Sequence, residues 1–441
     1  MLETIKNALK TPEIRKKLLY TLILIIIFRI GCFITLPGVN AVKLNEIMSD
    51  SSNGIQGLIN MISGGAFSRF SIFAMTIGPY ITSSIIMQLL TMIVPALEKL
   101  QKDGGEEGKK KMSMYTKIVT IILAAVEALG IYLTYRGSDV FVNPGFLTGL
   151  IIVSGLMAGT AILVWLGEEI TNKGIGNGIS MIIFIGIVSG LPGGITTIYN
   201  TIITGSGFST TGFVIAMAIL AGALLLVAGV VWVQEAERRI PVQYAKKVVG
   251  RKMYGGQNTH IPLKLAMAGV MPVIFASSIM TFPATIIGFF VKEISNLDGV
   301  VKVLYYLSAA TSSSDLPSYW YSVGNALIYL LLIVGFTFFY TMATFNPAEV
   351  ANNIKRNGGF IPGIRAGKPT AEYLSSVLSK IIWFGAIFLA VIAILPIFMK
   401  FTGINISFGG TSILIVVGVA LETIQQLESQ LVMRHYKGFL E

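Results

Sequence analysis

Along the chain, long apolar runs alternate with short polar punctuation, and the apolar runs are close to the length that crosses a bilayer. Windows rich in Leu, Ile, Val and Phe fall near residues 18–36, 72–95, 118–135, 146–166, 178–199, 212–233, 265–290, 320–345, 381–399 and 408–424. About twenty apolar residues in a helix cover about 30 Å of hydrocarbon, so the pattern predicts ten transmembrane helices. One stretch does not fit. INMISGGAFSRF, Ile59 to Phe70, is too short to cross, is split by Gly64 and Gly65, and runs directly into the second span. A broken, re-entrant half-helix is the expectation, because irregular backbone survives at membrane depth only inside protein or beside water.

The fifth window is also interrupted. It opens with GIGNGIS, Gly174 to Ser180, and meets LPGG at Leu191 to Gly194, which leaves a short uninterrupted core. The glycine spacing imitates a phosphate loop only superficially, since no strand precedes it and a membrane span follows. GLMAG, Gly155 to Gly159, fits the small-xxx-small pattern that lets helices approach closely.

Composition places all of this in a bilayer. The 441 residues are 54% hydrophobic and only 12% charged, and no polar block is long enough for a separate soluble domain, so one integral membrane domain is expected. The single cysteine, Cys32, rules out an internal disulfide and any multi-cysteine metal site. Both histidines, His260 and His435, lie in polar segments, and no HExxH, G-x-S-x-G or paired-carboxylate pattern occurs. No metal, cofactor or enzymatic activity is therefore expected. The apolar run after the charged N-terminus lacks an A-x-A cleavage pattern, so no removable signal peptide is expected either.

Charge sets the orientation. Of 33 basic residues, 26 lie on the N-terminal tail, the connections after even-numbered spans and the C-terminal tail; six lie on the opposite connections and Arg29 lies within the first span. The positive-inside rule then puts both termini in the cytoplasm. The connection after the second span reads as a flexible Gly- and charge-rich linker. Two larger ones, about residues 235–264 and 345–380, mix basic, apolar and turn residues and are expected to form short projecting elements. The positive-inside rule alone accounts for their charge; docking of a large anionic partner, whether headgroups, ribosomal RNA or an acidic protein face, is the alternative. Gln88, Glu127, Asn177 and Thr411 are polar at membrane depth, and a carboxylate there is costly unless it faces protein, a partner or water.

Ten spans make two fives, and because five is odd a duplicated half would sit inverted in the membrane. PYITSSIIM, Pro79 to Met87, resembles PVIFASSIM, Pro272 to Met280, and each has an isoleucine two residues after its proline, Ile81 and Ile274. On pattern alone, a secondary transporter for a small solute or ion uses the same devices.

Seven blocks in order resemble one family: FRIGCFITLPG at 28–38, SGGAFSRFSIFAMTIGPYITSSIIMQLL at 63–90, WLGEEITNKGIGNGIS at 165–180, RRIPVQYAKK at 238–247, HIPLKLAMAGVMPVIFASSI at 260–279, FIPGIRAGKPT at 360–370 and FGGTSILIVV at 408–417. They are similar to the SecY family, the channel subunits of the bacterial Sec protein translocase. The resemblance implies an all-α membrane protein of ten helices in two inverted halves, 1–200 and 201–441, with a re-entrant plug at about 55–70. It implies a protein-conducting channel for unfolded secretory polypeptides, with lateral release of transmembrane segments into the lipid of the plasma membrane. Matched position by position, the pore ring falls on Ile77, Ile81, Ile179, Ile183, Ile274 and Ile415, all isoleucine here. The plug includes Ile59, Ile62, Gly64, Gly65, Phe67 and Arg69. Gln88, Glu127, Asn177, Ser278 and Thr411 fall in the lateral gate; Glu127 departs from the neutral polar residue expected. Arg238, Arg239, Arg251, Lys252, Arg365 and Lys368 match the docking surface for the SecA ATPase or the ribosome, with Ala366 where the family often has proline. SecE and SecG subunits, signal sequences and membrane lipid are the other implied partners, without DNA.

Overall fold

The computed structural model describes residues 6, 8–40, 43–44, 63–204, 207–208, 210–244, 247–249, 252–254, 258–290, 299–309, 319–401 and 410–437. Each of the ten predicted spans falls on a helix, the fifth on a pair. In chain order the helices are α1 (Pro12–Gly31), α2 (Gly78–Ile93), α3 (Pro95–Lys102), α4 (Gly105–Tyr135), α5 (Phe146–Lys173), α6 (Gly178–Val188), α7 (Leu191–Ile202), α8 (Thr210–Glu235), α9 (Met271–Phe290), α10 (Gly299–Ala309), α11 (Tyr319–Thr344), α12 (Pro347–Arg356), α13 (Lys368–Phe401) and α14 (Gly410–Lys437). The described strands all lie in the connections between spans. They are β1 (Ile203–Thr204), β2 (Gly207–Phe208), β3 (Glu237–Tyr244), β4 (Lys247–Val249), β5 (Lys252–Tyr254), β6 (Asn258–Lys264) and β7 (Gly359–Phe360).

Among the described residues, six helices are long and apolar enough to cross a membrane: Gly105–Tyr135, Phe146–Lys173, Gly212–Glu235, Val323–Arg356, Lys368–Leu395 and Thr411–Val432. A bent pair, α2 with α3, passes the same test together and turns by 106° where Pro95 removes a ladder donor. Large apolar side chains such as Leu224, Leu225 and Trp232 on α8 stay exposed, as a lipid-facing surface requires.

Two boundaries differ from the sequence pattern. Residue 72 is the expected start of the second span, yet residues 63–77 run as turns broken only by a bridge from Ser71 to Thr35, and helix begins only at Gly78. The φ angles of Gly64, Gly65, Phe70 and Thr76 are 62°, 85°, 47° and 54°, left-handed values that no right-handed helix accommodates. Conversely, the charged connection after the second span is not a loose linker. Most of it is helix, because Glu106 and Glu107 occupy the first turn of α4, where the dipole favours anions. Gly108 allows α3 to lie against it, since a Cβ there would meet the Leu100 carbonyl oxygen at 2.1 Å.

The chain divides into two compact units, one of Met1–Ala216, Ser277–Ala326 and Val419–Glu441, the other of Met217–Ala276 and Leu327–Gly418. Among the described residues, the first holds a small apolar core of Ala8, Ile14, Ile175 and Leu427 and two large ones. One gathers Phe67, Phe70, Tyr132, Tyr135 and Phe141 around Ile152 and Leu156; the other joins Phe28, Cys32 and Phe73 to Ile77, Leu163 and Ile170. GLMAG does serve close approach, but its neighbours are non-helical segments: a Cβ on Gly155 would meet Leu36 at 2.4 Å, and one on Gly159 the Ile72 carbonyl oxygen at 1.9 Å. The second unit has a core of a different kind, a small sheet packed on helices. β3 pairs antiparallel with β6 from Glu237↔Lys264 to Gln243↔Asn258 and, at its end, with β7. Ile240, Val242 and Leu263 pack there against Ile354, Ile361 and Leu374.

Gly159→Ala tests the close approach. Its methyl group has no room against a backbone carbonyl, so the variant should lose about 1–3 kcal/mol of stability. Gly193→Ala, which meets nothing within 4 Å, should not. Thermal unfolding of the detergent-purified protein reads both; equal midpoints would contradict the packing.

Candidate functional site

Ile77 is the residue before α2 and is 1% exposed. Its carbonyl accepts from the N–H groups of Tyr80 and Ile81, both at 3.0 Å, so Ile81 stands one turn further along the same face. Ile77, Ile81 and Ile179 share one apolar cluster, which brings three ring candidates from two helices together. Ile183 is buried one turn after Ile179 on α6.

The start of α6 is built with unusual thoroughness. Five backbone N–H groups in this loop and the first turn of α6 are answered by side chains. Ile175 donates to Thr21 Oγ1 at 3.1 Å, Gly176 to Gln426 Oε1 at 2.7 Å and Gly178 to Thr171 Oγ1 at 2.9 Å. Ile179 and Ser180 both donate to Asn177 Oδ1, at 3.2 and 3.4 Å, an N-cap. Asn177 is therefore occupied in starting the helix that carries Ile179 and Ile183. Gly176 sits at φ 89°, and a Cβ on Gly178 would lie 2.0 Å from the Gly167 carbonyl oxygen, so neither position takes a larger residue freely.

In the second unit, Val270 receives the N–H groups of Val273 and Ile274 at 3.1 and 3.2 Å, which starts α9. Gly418 lets α14 approach there, since a Cβ would lie 2.7 Å from Val270 Cγ1. Ile415, one turn before Gly418, and Ile274, one turn after Val270, are thus carried on adjoining segments. Phe275 packs edge-on against Phe336 and Tyr340 of α11 at 6.0 and 5.9 Å.

Of the plug candidates, Ile59 and Ile62 lie outside the described residues. Gly64 is wedged between two side chains: Arg29 Nη1 donates to its carbonyl at 3.2 Å, and a Cβ there would collide with Ser189 Oγ at 2.3 Å. A Cβ on Gly65 would meet nothing within 4 Å, and the Gly65 carbonyl accepts from Ser68 Oγ at 3.0 Å. Phe67 is buried in the aromatic cluster, and Arg69 lies over the Phe33 ring at 4.2 Å, with Arg29 over the same ring at 5.7 Å. Arg69 Nη1 is buried and has no hydrogen-bond partner among the described residues.

Two gate candidates of the first unit stand well apart. Gln88 on α2 and Glu127 on α4 lie on opposite sides of the contact in which Ser83 Oγ donates to the Thr116 carbonyl at 2.6 Å. By helical rise they differ in depth by roughly 24 Å. Both are half-buried, and Glu127 has no hydrogen bond or ion pair among the described residues. Ser278 lies on α9, where its carbonyl accepts from Thr281 Oγ1 at 3.2 Å, and Thr411 is half-buried at the start of α14.

Of the docking candidates, Arg251 lies outside the described residues and Lys252 is in β5. Arg238 and Arg239 are exposed on β3, and Arg239 Nε lies 2.6 Å from Glu237 Oε1. Arg365 is exposed in a turn framed by Gly363 at φ 83° and Gly367 at φ 104°. Thr370 Oγ1 donates to its carbonyl at 2.8 Å, buried Ile361 anchors the turn, and Lys368 follows, also exposed. Thr21, Thr171 and Gln426, which hold the start of α6, were not singled out from sequence: nothing local links Gln426 to a glycine 250 residues earlier.

A family model described as SecY matches residues 71–424. Among curated relatives, the Protein translocase subunit SecY of Halalkalibacterium halodurans is 45% identical over the whole of both chains. Those of Streptomyces galbus and Mycobacterium tuberculosis are 44% and 42% identical, again over the whole of both chains. The fold is similar to a solved SecY whose plug domain is described as stabilising the closed state of the translocation channel, with a TM-score of 0.66 at 21% identity, covering 94% of this chain and 91% of that one. It is also similar to a protein conducting channel, TM-score 0.63 at 20% identity, and to Sec61 in a canine ribosome-channel complex, TM-score 0.62 at 19% identity, both with that coverage.

Proposed function

Because the chain belongs to the SecY family, we propose that it conducts unfolded secretory polypeptides across a bacterial plasma membrane and releases transmembrane segments sideways into lipid. The relationship over the full length to translocase subunits carries this reading. The protein is a channel and not an enzyme, and none of the named relatives supports a small-solute transporter.

The mechanism rests on a collar of apolar side chains. Ile77, Ile81, Ile179, Ile183, Ile274 and Ile415 offer no hydrogen bonds, so a narrow aperture between them dewets and resists ions, while branched side chains adapt around a threaded polypeptide. Supporting it, three of these share a cluster in the first unit, and the segments carrying the last two adjoin in the second. The segment at about 55–70, including Ile59, Ile62, Gly64, Gly65, Phe67 and Arg69, acts as the plug. Residues 1–200 and 201–441 are the two halves of the channel, with both termini cytoplasmic. Gln88, Glu127, Asn177, Ser278 and Thr411 belong to the lateral gate, where Glu127 tunes opening.

Energy comes from outside the chain. Arg238, Arg239, Arg251, Lys252, Arg365 and Lys368 form the docking face for the SecA ATPase or the ribosome, with SecE and SecG as companion subunits. A Sec61 channel is found in a complex with the ribosome, which supports ribosome docking. The presentation of Arg365 on a pinned turn suits the planar, forked recognition of a carboxylate or phosphate.

Proteoliposomes holding this chain with SecE and SecG, given SecA and ATP, should render an unfolded precursor protease-resistant; a precursor left fully digestible would sink the channel reading. Ile183→Ser should raise the resting ion leak severalfold in planar bilayers, and an unchanged leak would remove Ile183 from the collar. Arg365→Glu should lower SecA-driven translocation by about tenfold, the scale of one charge-assisted hydrogen bond, with membrane assembly intact. Normal export by that variant refutes the docking assignment. Glu127→Gln should shift which signal sequences are accepted, and identical selectivity would dismiss its tuning role.

A further inference from the structure

The bracing of the loop before α6 goes beyond what a channel wall requires, and one member of it comes from the last helix. Thr21 and Thr171 each donate to their own helix, to the Lys17 carbonyl at 3.0 Å and the Gly167 carbonyl at 2.8 Å, which leaves their lone pairs for the loop. Gln426 reaches the loop from α14. Its surroundings keep it there: Leu427 is buried with Ile14 and Ile175, Lys17 Nζ donates to Gln430 Oε1 at 3.2 Å, and Thr423 Oγ1 lies 3.8 Å from Met181 Sδ. Gly176, the residue held by Gln426, is buried, and its left-handed backbone leaves no side chain to substitute for the bond.

We infer that Gln426 is a positioning residue for the collar, fixing the direction in which α6 starts and therefore where Ile179 and Ile183 point. This rests on the channel reading above. The bond from Gly176 lies only three residues ahead of Ile179, so releasing it frees the loop between α5 and α6. A buried N–H without an acceptor is costly, and the loop must turn to find another. Because Gln426 lies in the part of α14 that continues beyond the predicted tenth span, the aperture is tied to the polar end of the last helix.

The test compares Gln426→Met, similar in size without an oxygen acceptor, with Gln426→Glu, which keeps one. Hydrogen exchange of the purified complex with SecE and SecG should rise about tenfold at residues 174–181 in the methionine variant, with residues 150–170 unchanged. Its resting ion leak should rise as well, and the glutamate variant should stay near the parent in both. Parental exchange or leak in the methionine variant, or a glutamate variant as perturbed as the methionine one, overturns the inference. Should the methionine variant not assemble, Gln426→Asn, whose oxygen is withdrawn by one methylene, carries the same comparison. A parent complex that moves no precursor defeats the channel reading instead, while the exchange data still report on Gln426.

Discussion

A backbone amide in hydrocarbon has no water to turn to, and each one left unpaired costs several kcal/mol. Two of the described departures from helix in the first unit, at residues 63–77 and at Gly174–Asn177, obey this constraint by different means. In the first, backbone mostly answers backbone: Leu36 donates to the Phe70 carbonyl at 3.1 Å and Ile72 to the Ile34 carbonyl at 3.0 Å, a small bridge between two segments, and the hydroxyls of Ser63 and Ser71 accept from Phe67 and Phe73. In the second, the loop is too short to fold on itself, and side chains from α1, α5 and α14 supply the acceptors. Polar residues of three helices are thus spent on one interior loop.

The same accounting shows how the described part of the segment proposed as the plug is held. From Ala66 onward the chain is anchored by the bridge and by burial of Phe67, Phe70 and Phe73. Ahead of it, among the described residues, the Gly64 carbonyl accepts from Arg29, the Gly65 carbonyl accepts from Ser68 Oγ and buried Ser63 accepts from the N–H groups of Ala66 and Phe67, while Arg29 and Arg69 both lie over the Phe33 ring. Cation–π contacts contribute about 0.5–1 kcal/mol each at exposed sites, and two like charges on one ring partly oppose each other.

The spans were legible because apolar length is a local property, and the family resemblance was legible because seven blocks kept their order. What sequence could not give was anything that depends on distant partners. Asn177 reads as an intramembrane polar residue until its Oδ1 is seen capping α6. Charged residues 105–117 read as linker, because polar composition hides a helix that is fixed by packing on Leu100. The paired β3 and β6 carry Pro241 and Pro262, which argue against strands locally; the sheet forms because alternate residues of β3, Ile240 and Val242, have a core to enter. Gln426 had no signal at all, being one of several glutamines near the end of a long helix.

The sheet also bears on how the basic surface can work. The family resemblance leads to the expectation of a proline after Arg365, and the Ala366 found there would by itself leave the turn freer. The structure compensates in other ways. Two glycines at positive φ set the path, Ile361 is buried to 3% exposure, and Thr370 closes the turn on the Arg365 carbonyl. Ordering a loop and its side chains is a large part of what association costs, and here the loop's share is met by folding. For the docking role proposed above, a partner would then have mainly the guanidinium to immobilise, and the proposal rests on the charge and fork of Arg365 more than on the stiffness of its turn.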